Sequence, residues 1–355
     1  MSAGPYRTSM SPSSPYDGGT ACLSTTRSVR NHPSVSFIAM GGVEPQHCTD
    51  MYGDLPFGLF VLPDSTLRGE AAYIFTNEGT PILEQNADFL RKKRFLKPRL
   101  NEEHLTLRAL RQVDDLVSLT SRCDTGFFHW MMDSLPKVVI AEACGFTGSY
   151  LIPEPSTAPW AEESMTLLGI SPIRLIHHSS LDTRARRLFI PTYFSGYNAH
   201  HNKPFLKLYR DKVRQAISVE PRSSNERILI ARKPETKVRR ILNHEEVRHT
   251  AEEFGFQTVY FEDLSLREQL QRALSAEAII GAHGSGLCHS LFMDERSTLI
   301  ELFPFARRQS CDCYEALATI PQHHYHALES SYDREGDIVV PTTELRELLQ
   351  RVRGR

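Results

Sequence analysis

The chain has 355 residues, of which 40% are hydrophobic and 24% charged, with a formal net charge of -2. That length exceeds what one ordinary core serves and suits two domains. The near-neutral charge excludes a global field recruiting nucleic acid or an anionic membrane, and no apolar run approaches the ~18 residues of a membrane-spanning helix.

Residues 1–34 are rich in Ser, Thr, Pro and Gly. They read as a disordered tail, because such a segment buries too little apolar surface to offset its ordering entropy. They hold no continuous apolar stretch of the signal-peptide kind. The seven cysteines are an odd number without framework spacing. That pattern reads as reduced thiols and a cytoplasmic location.

Residues 35–218 alternate short apolar runs with helical patterns, which predicts an α/β domain. Expected strands are Ala72–Phe75, Leu116–Leu119, Tyr150–Ile152, Ile173–Ile176 and Leu188–Ile190. Expected helices run from Phe128 to Ala143, Ala161 to Leu168 and Pro204 to Ile217. The polar stretch Ser218–Asn225 (SVEPRSSN) reads as the linker and hinge.

Residues 226–355 form the second predicted domain. Arg227–Arg232 (RILIAR) is a buried strand bounded by charge. Asn243 is placed to cap a helix with Val247, Ala251 and Phe254 on its apolar face and Gly255 at its end. Thr258–Phe261 is a strand, and Ser265 with Glu268 makes a capping box for a helix through Leu274. Ala278–Ile280 is a third strand, followed by a short helix Leu287–Met293, a strand Thr298–Leu302 and another at Tyr325–Leu328. Glu344–Val352 is an amphipathic helix that suits either domain as its packing partner. Strands regularly separated by helices imply a parallel sheet covered on both faces, a Rossmann-like domain.

Gly281-Ala282-His283-Gly284-Ser285-Gly286 lies at the end of a strand and the start of a helix. Glycines there let backbone approach a ligand closely, and free N–H groups suit a diphosphate. The bland reading is a tight strand–helix turn. Arg232 and Lys233 follow the domain's first strand and should emerge at the same sheet edge. Lys237, Arg239 and Arg240 follow in the loop, and arginine pairs well with phosphate oxygens. A solvated basic loop is the alternative. Glu301, read as the end of its strand, could accept ribose hydroxyls or be merely structural. The runs Arg184–Arg187 and Arg307–Arg308 read as surface.

His129 and Asp133 are four apart on an aromatic-rich helix and so share a face. A carboxylate beside His can fix its tautomer for proton abstraction, or the pair can simply hold the fold together. Cys311 with Cys313, and His323, His324 and His326, match no standard zinc spacing. Ser285 lacks the Gly-x-Ser-x-Gly spacing of a hydrolase elbow.

Three ordered blocks then resemble glycosyltransferase family 61. FFHWMMDSLPKV is similar to its aromatic-His-Trp block, with Lys137 where Arg is usual. ILIARKPETKVRRILNHEEV resembles its Ser-Arg…Arg-Arg-Asn-Glu segment, with Ala231 where Ser is common. The block from Leu264 to Pro304, with its HGSGL turn and Glu-Leu-Phe-Pro, resembles the family's most distinctive stretch. The resemblance implies a GT-B-like fold, two Rossmann-like domains facing a cleft, with the donor on the C-terminal one. It implies an inverting transfer from a UDP-sugar to a glycan acceptor, and a bacterial surface or capsular polysaccharide role.

Under that resemblance His129 or Asp133 is the base, and Arg232, Arg240 and the Gly284–Leu287 turn stabilise the leaving diphosphate. The nucleotide-sugar site as a whole comprises Arg232, Lys233, Arg239, Arg240, His283, Gly284, Ser285, Gly286, Leu287 and Glu301. No cofactor or metal is expected beyond the UDP-sugar substrate, and no nucleic acid. There is room for peripheral association with a polysaccharide synthesis complex. The rival readings are a UDP-sugar epimerase of the same architecture and a non-catalytic glycan-binding subunit.

Overall fold

A computed structural model describes residues 36–40, 57–69, 72–80, 109–120, 125–179, 181–192, 203–217, 225–233, 239–304, 312–333 and 336–353. The expected tail 1–34, residues 218–224 of the expected hinge, Lys237, Arg307, Arg308 and Cys311 lie outside them. The described residues divide into two compact units, those up to Tyr209 and those from Arg210 on. No helix among them is long and apolar enough to cross a membrane.

The first unit holds a seven-stranded mixed sheet. Its strands are β1 (Ser36–Ala39), β2 (Gly58–Arg68), β3 (Tyr73–Phe75), β4 (Leu110–Ser118), β5 (Ser149–Ile152), β6 (Leu175–His177) and β7 (Asp182–Pro191). They follow the order β1-β2-β7-β4-β5-β6, with β3 on β2. The four strands β7-β4-β5-β6 are parallel, and β1, β2 and β3 add antiparallel pairings. Phe60, Leu62, Leu116, Leu151, Leu188 and Ile190 form its core. Along β7 the buried Ala185 alternates with exposed arginines. Arg184, Arg186 and Arg187 pair with Asp64, Asp114 and Asp115, so this basic run is a solvated face.

In this half one expected strand is corrected and one strand was not expected. The expected strand Ile173–Ile176 begins later, at Leu175. Pro172 fixes its own φ and opens a 3-10 turn, Pro172–Arg174, that leaves Ile173 90% exposed. The long strand β2 is absent from the sequence reading because Pro63-Asp64 looks like a turn. Asp64 takes φ 45°, and pairing with β7 resumes at Ser65.

The second unit is a six-stranded sheet. Its strands are β8 (Glu226–Ala231), β9 (Phe256–Tyr260), β10 (Ala276–Ala282), β11 (Thr298–Pro304), β12 (His324–Tyr332) and β13 (Ile338–Val339). The order is β13-β12-β11-β10-β8-β9, parallel throughout except for β13. β11 is buried along its whole length, as a sheet covered on both faces requires.

The helix His244–Glu252 lays Val247 and Ala251 into this core, and Thr342–Arg353 adds Leu345, Leu348 and Leu349. The last helix therefore packs within the second unit, where Arg346 pairs with Glu253. Gly255 ends the first of these helices at φ 81°. Asn243 does not cap it, because its side chain exchanges hydrogen bonds with the Val340 backbone instead.

The helix Leu266–Ser275 has the complete capping box, with Ser265 accepting from the Glu268 N–H and Glu268 returning a bond to the Ser265 N–H. Ser265→Ala should destabilise the protein by about 1 kcal/mol. Urea unfolding of the two proteins side by side checks this, and coincident midpoints would show that the cap contributes nothing.

Candidate functional site

In the second sheet the chain order reverses between β8 and β10. Strand β9 lies outside β8, whereas β11 and β12 continue beyond β10. Ligands of open parallel sheets bind beyond the strand ends at such a switch point. The residues leaving those two strands are Arg232 and His283-Gly284-Ser285-Gly286.

Each glycine of this turn answers a local constraint. A Cβ on Gly284 would overlap the Arg232 guanidinium. One on Gly281 would lie 2.9 Å from the Leu287 side chain, and one on Gly286 would lie 3.2 Å from Ile230. The expected helix after the turn is a 3-10 helix, Ser285–Phe292. Leu287 is buried and fastens the turn to the core.

Arg232 is held below the usual guanidinium range, first by burial and then by the like charge of Arg239. Glu262, Tyr314 and Asp337 act in the opposite sense. Arg239 sits at φ 57° and donates Nη1–H to the His283 carbonyl at 3.3 Å. Arg232, Arg239 and the turn are thus brought together. Lys233 is instead ion-paired with Asp263. Arg240 is bound by the fully buried Asp337, which accepts from both its side chain and its backbone N–H at 2.7 Å. Burial pushes the Asp337 carboxyl up, and the bonds from Arg240 outweigh it to leave the group below its ordinary range. Arg240 therefore pins the basic loop to the β12–β13 region.

Glu301 differs from the strand-end carboxylate expected of it. β11 continues to Pro304, and Glu301 is 1% exposed within it. One carboxylate oxygen meets His283 Nδ1, and the other accepts the Tyr325 hydroxyl at 2.6 Å. The imidazole is flanked by the rings of Phe303 and Tyr314. The Tyr314 hydroxyl donates to the Gly284 carbonyl at 2.6 Å.

Beneath the turn lies a buried polar frame. Arg210 donates to the Leu291 and Met293 carbonyls at 2.9 and 2.7 Å, and Arg214 to the Phe292 carbonyl. These bonds satisfy the carbonyls at the end of the 3-10 helix. His289 bonds the Gly286 carbonyl and His323 the Ser290 carbonyl. Burial pushes both imidazoles down to about 4. His323 is thereby accounted for as a structural residue, and the described residues contain no cluster of His, Cys, Asp or Glu able to hold a metal ion. Tyr314, Tyr325, Asp337 and Arg210 were missed from the sequence, where nothing marks them but their residue type.

In the first unit the expected helix Phe128–Ala143 is broken in a particular way. A short α turn, Phe127–His129, widens into a π turn, Trp130–Ser134, before Pro136–Ala143 continues. Pro136 has no N–H to donate and its ring crowds the preceding turn. The Leu135 N–H therefore reaches back to the Trp130 carbonyl at 2.8 Å. Trp130 is fully buried, and its indole N–H donates to Ser164 at 2.8 Å.

This anchor sets the neighbouring His129, whose Nδ1 lies 2.7 Å from Asp133 Oδ2. The His129 side chain is 35% exposed and that of Asp133 13%. Asp133 Oδ1 is buried with no hydrogen-bond partner among the described residues. The segment follows β4, which lies between β7 and β5 where that sheet's own order reverses.

The family described as Glycosyltransferase 61 matches residues 127–300, from the His129 segment into β11. The EGF domain-specific O-linked N-acetylglucosamine transferase of Drosophila melanogaster is 30% identical over 112 residues. That match covers 31% of this chain and only 20% of the relative, so the chain spans about a fifth of that protein's length. A crystal structure of the dodecameric iron-containing heptosyltransferase TibC with ADP-D-beta-D-heptose aligns over 75% of this chain and 81% of that one. The two share 9% identity, with a TM-score of 0.32. The family match covers just under half of the chain.

The buried histidines predict an acid-sensitive fold. Their folded pKa of about 4 lies below the ordinary 6.5, so below 6.5 the unfolded chain binds protons that the folded one refuses. Stability should fall as pH drops from 6.5 toward 4, by a loss on the order of 3 kcal/mol per histidine. Unfolding midpoints of His323→Asn should show a shallower pH slope than wild type across that window. Parallel slopes would show that His323 does not carry the effect.

Proposed function

We propose that the chain is a family 61 glycosyltransferase that moves a sugar from a UDP-sugar to an acceptor hydroxyl with inversion at the anomeric carbon. The observation that carries the donor half is the Arg232 guanidinium packed over Gly284 at the switch point, with Arg239 beside it. Two guanidiniums at one strand end repel each other, and a diphosphate between them would relieve that repulsion. They and the turn's N–H groups would stabilise the diphosphate as it leaves. The proposal therefore carries no metal requirement.

The acceptor half rests on His129 and Asp133. In the proposed step the acceptor oxygen attacks the anomeric carbon, the bond to the diphosphate breaks, and a base takes the hydroxyl proton. Asp133 is the less exposed of the pair and already accepts from His129. The reading therefore makes His129 the base and Asp133 the group that holds its tautomer. A GT-B-like arrangement, with the donor on the second unit and the acceptor activated from the first, belongs to the same proposal.

The acceptor is proposed to be a glycan hydroxyl, as in surface or capsular polysaccharide. The Drosophila relative's name favours a second reading, a hydroxyl on a protein domain, and makes N-acetylglucosamine the first sugar to test.

Calorimetry with UDP and a transfer assay with UDP-N-acetylglucosamine test the two halves separately. Arg232→Ala should weaken UDP binding about tenfold or more, since each charge-assisted hydrogen bond contributes ~1.5–3 kcal/mol. Unchanged affinity in a folded variant would remove Arg232 from the site. His129→Ala should cut turnover by ~10²–10⁴-fold while leaving UDP affinity nearly intact. Near wild-type transfer by both His129→Ala and Asp133→Asn would make the pair structural.

A further inference from the structure

His283 is the one titratable side chain of the glycine turn itself, and its surroundings specify its charge. Both oxygens of Glu301 accept hydrogen bonds, one from the Tyr325 hydroxyl and one from His283 Nδ1. Both oxygens of the carboxylate are thus engaged as acceptors. That carboxylate is 1% exposed, and an isolated buried anion is costly unless a cation or strong donors meet it. The group in direct contact is the imidazole.

Among the described residues, the other charged and titratable groups around the turn include Arg232, Arg239, Tyr314 and Tyr325, with Glu262 and Asp337 acting on Arg232 through space. Arg239 and Tyr314 are directed at backbone carbonyls, of His283 and Gly284 respectively. Arg232 packs on Gly284. The charged group in hydrogen-bond contact with the imidazole ring is the Glu301 carboxylate. Phe303 and Tyr314 fix the ring plane, and the imidazole side chain stays 11% exposed.

We propose that Glu301 and Tyr325 are positioning residues that hold His283 as an imidazolium, a third cation beside Arg232 and Arg239 for an anion at the glycine turn. This rests on the proposed function for the identity of that anion, the diphosphate of a nucleotide-sugar. It also gives Glu301 a role other than contacting ribose. Anion binding then depends on pH. It is strong while His283 is protonated and weakens as rising pH takes that proton away.

The test is a histidine NMR titration of the full chain, with the His283 resonance identified by its loss in His283→Asn. His283 should titrate about one unit or more above the ordinary ~6.5. Glu301→Gln should lower that value by about a unit or more, and Tyr325→Phe should lower it less. Tyr325→Phe keeps the test open if the buried Glu301 variant does not fold. A His283 that titrates at or below the ordinary value, or that no variant moves, overturns the proposal.

The second readout is calorimetry with UDP-N-acetylglucosamine, whose diphosphate stays ionised between about pH 5.5 and 9. Affinity should fall across the His283 transition by about tenfold, the effect of one charge-assisted hydrogen bond. Glu301→Gln should move that fall to lower pH. Inorganic sulfate separates the two readings. If sulfate shifts the His283 resonance in the same pH-dependent way and no UDP-sugar binds, the histidine assignment stands and the transferase reading falls. If neither sulfate nor the UDP-sugar moves the resonance, the anion role is overturned.

Discussion

The missing side chain at Gly284 makes room for the Arg232 guanidinium, and the rest of the second unit is arranged around that close approach. A long cation drawn in from solvent loses hydration, and the like charge of Arg239 adds to the cost. A fold retains such a pair where something negative repays the desolvation. Several carboxylates of the described residues have other partners. Asp337 is bound by Arg240, Asp263 by Lys233, and Glu301 by His283 and Tyr325. Glu262 and Asp337 act on Arg232 only through space.

Such a pair would be of little use on a mobile backbone. The 3-10 helix after the turn has poorer hydrogen-bond geometry than an α-helix and leaves carbonyls to be satisfied. Arg210 and Arg214 take those at its far end, His289 and His323 take those of Gly286 and Ser290, and Tyr314 takes that of Gly284. The two imidazoles do this as neutral groups, because burial disfavours their charged forms. His283 stands a few residues away with a carboxylate against it, so the same residue type serves opposite ends. Under the inference drawn above, contact with Glu301 is what distinguishes His283 from the two buried histidines.

Much of the second sheet was legible in the sequence because its signals are local. The run RILIAR, the Ser265–Glu268 capping box and the glycine turn each state their structure within a few residues. The partners of Glu301 and Arg240 were not legible because they lie far along the chain. Tyr325 lies 24 residues beyond Glu301, and Asp337 lies 97 beyond Arg240. Sequence spacing cannot pair residues across parallel strands whose register is set only by folding. Asn243 was misread for the same reason, since Val340 outcompetes the local cap. In the first unit, β2 was hidden by Pro63-Asp64, a turn signal overridden by pairing with β7 on both sides of it.

The His129 segment joins a legible motif to an illegible geometry. Spacing alone placed His129 and Asp133 on one helical face, and they meet at 2.7 Å. The π turn between them was not readable, although its cause, Pro136, was in plain view. A π turn widens the helix by one residue, so the side chains around it leave the regular α-helical spacing. Trp130 takes the inward direction and locks to Ser164, while His129 one residue earlier keeps a third of its surface open. A purely structural His–Asp pair would gain from burying both partners with every oxygen satisfied. Here the imidazole is left accessible, and Asp133 Oδ1 is buried with no hydrogen-bond partner among the described residues. The unsatisfied buried oxygen costs stability, and under the proposed function the accessible imidazole is the group that meets the acceptor hydroxyl.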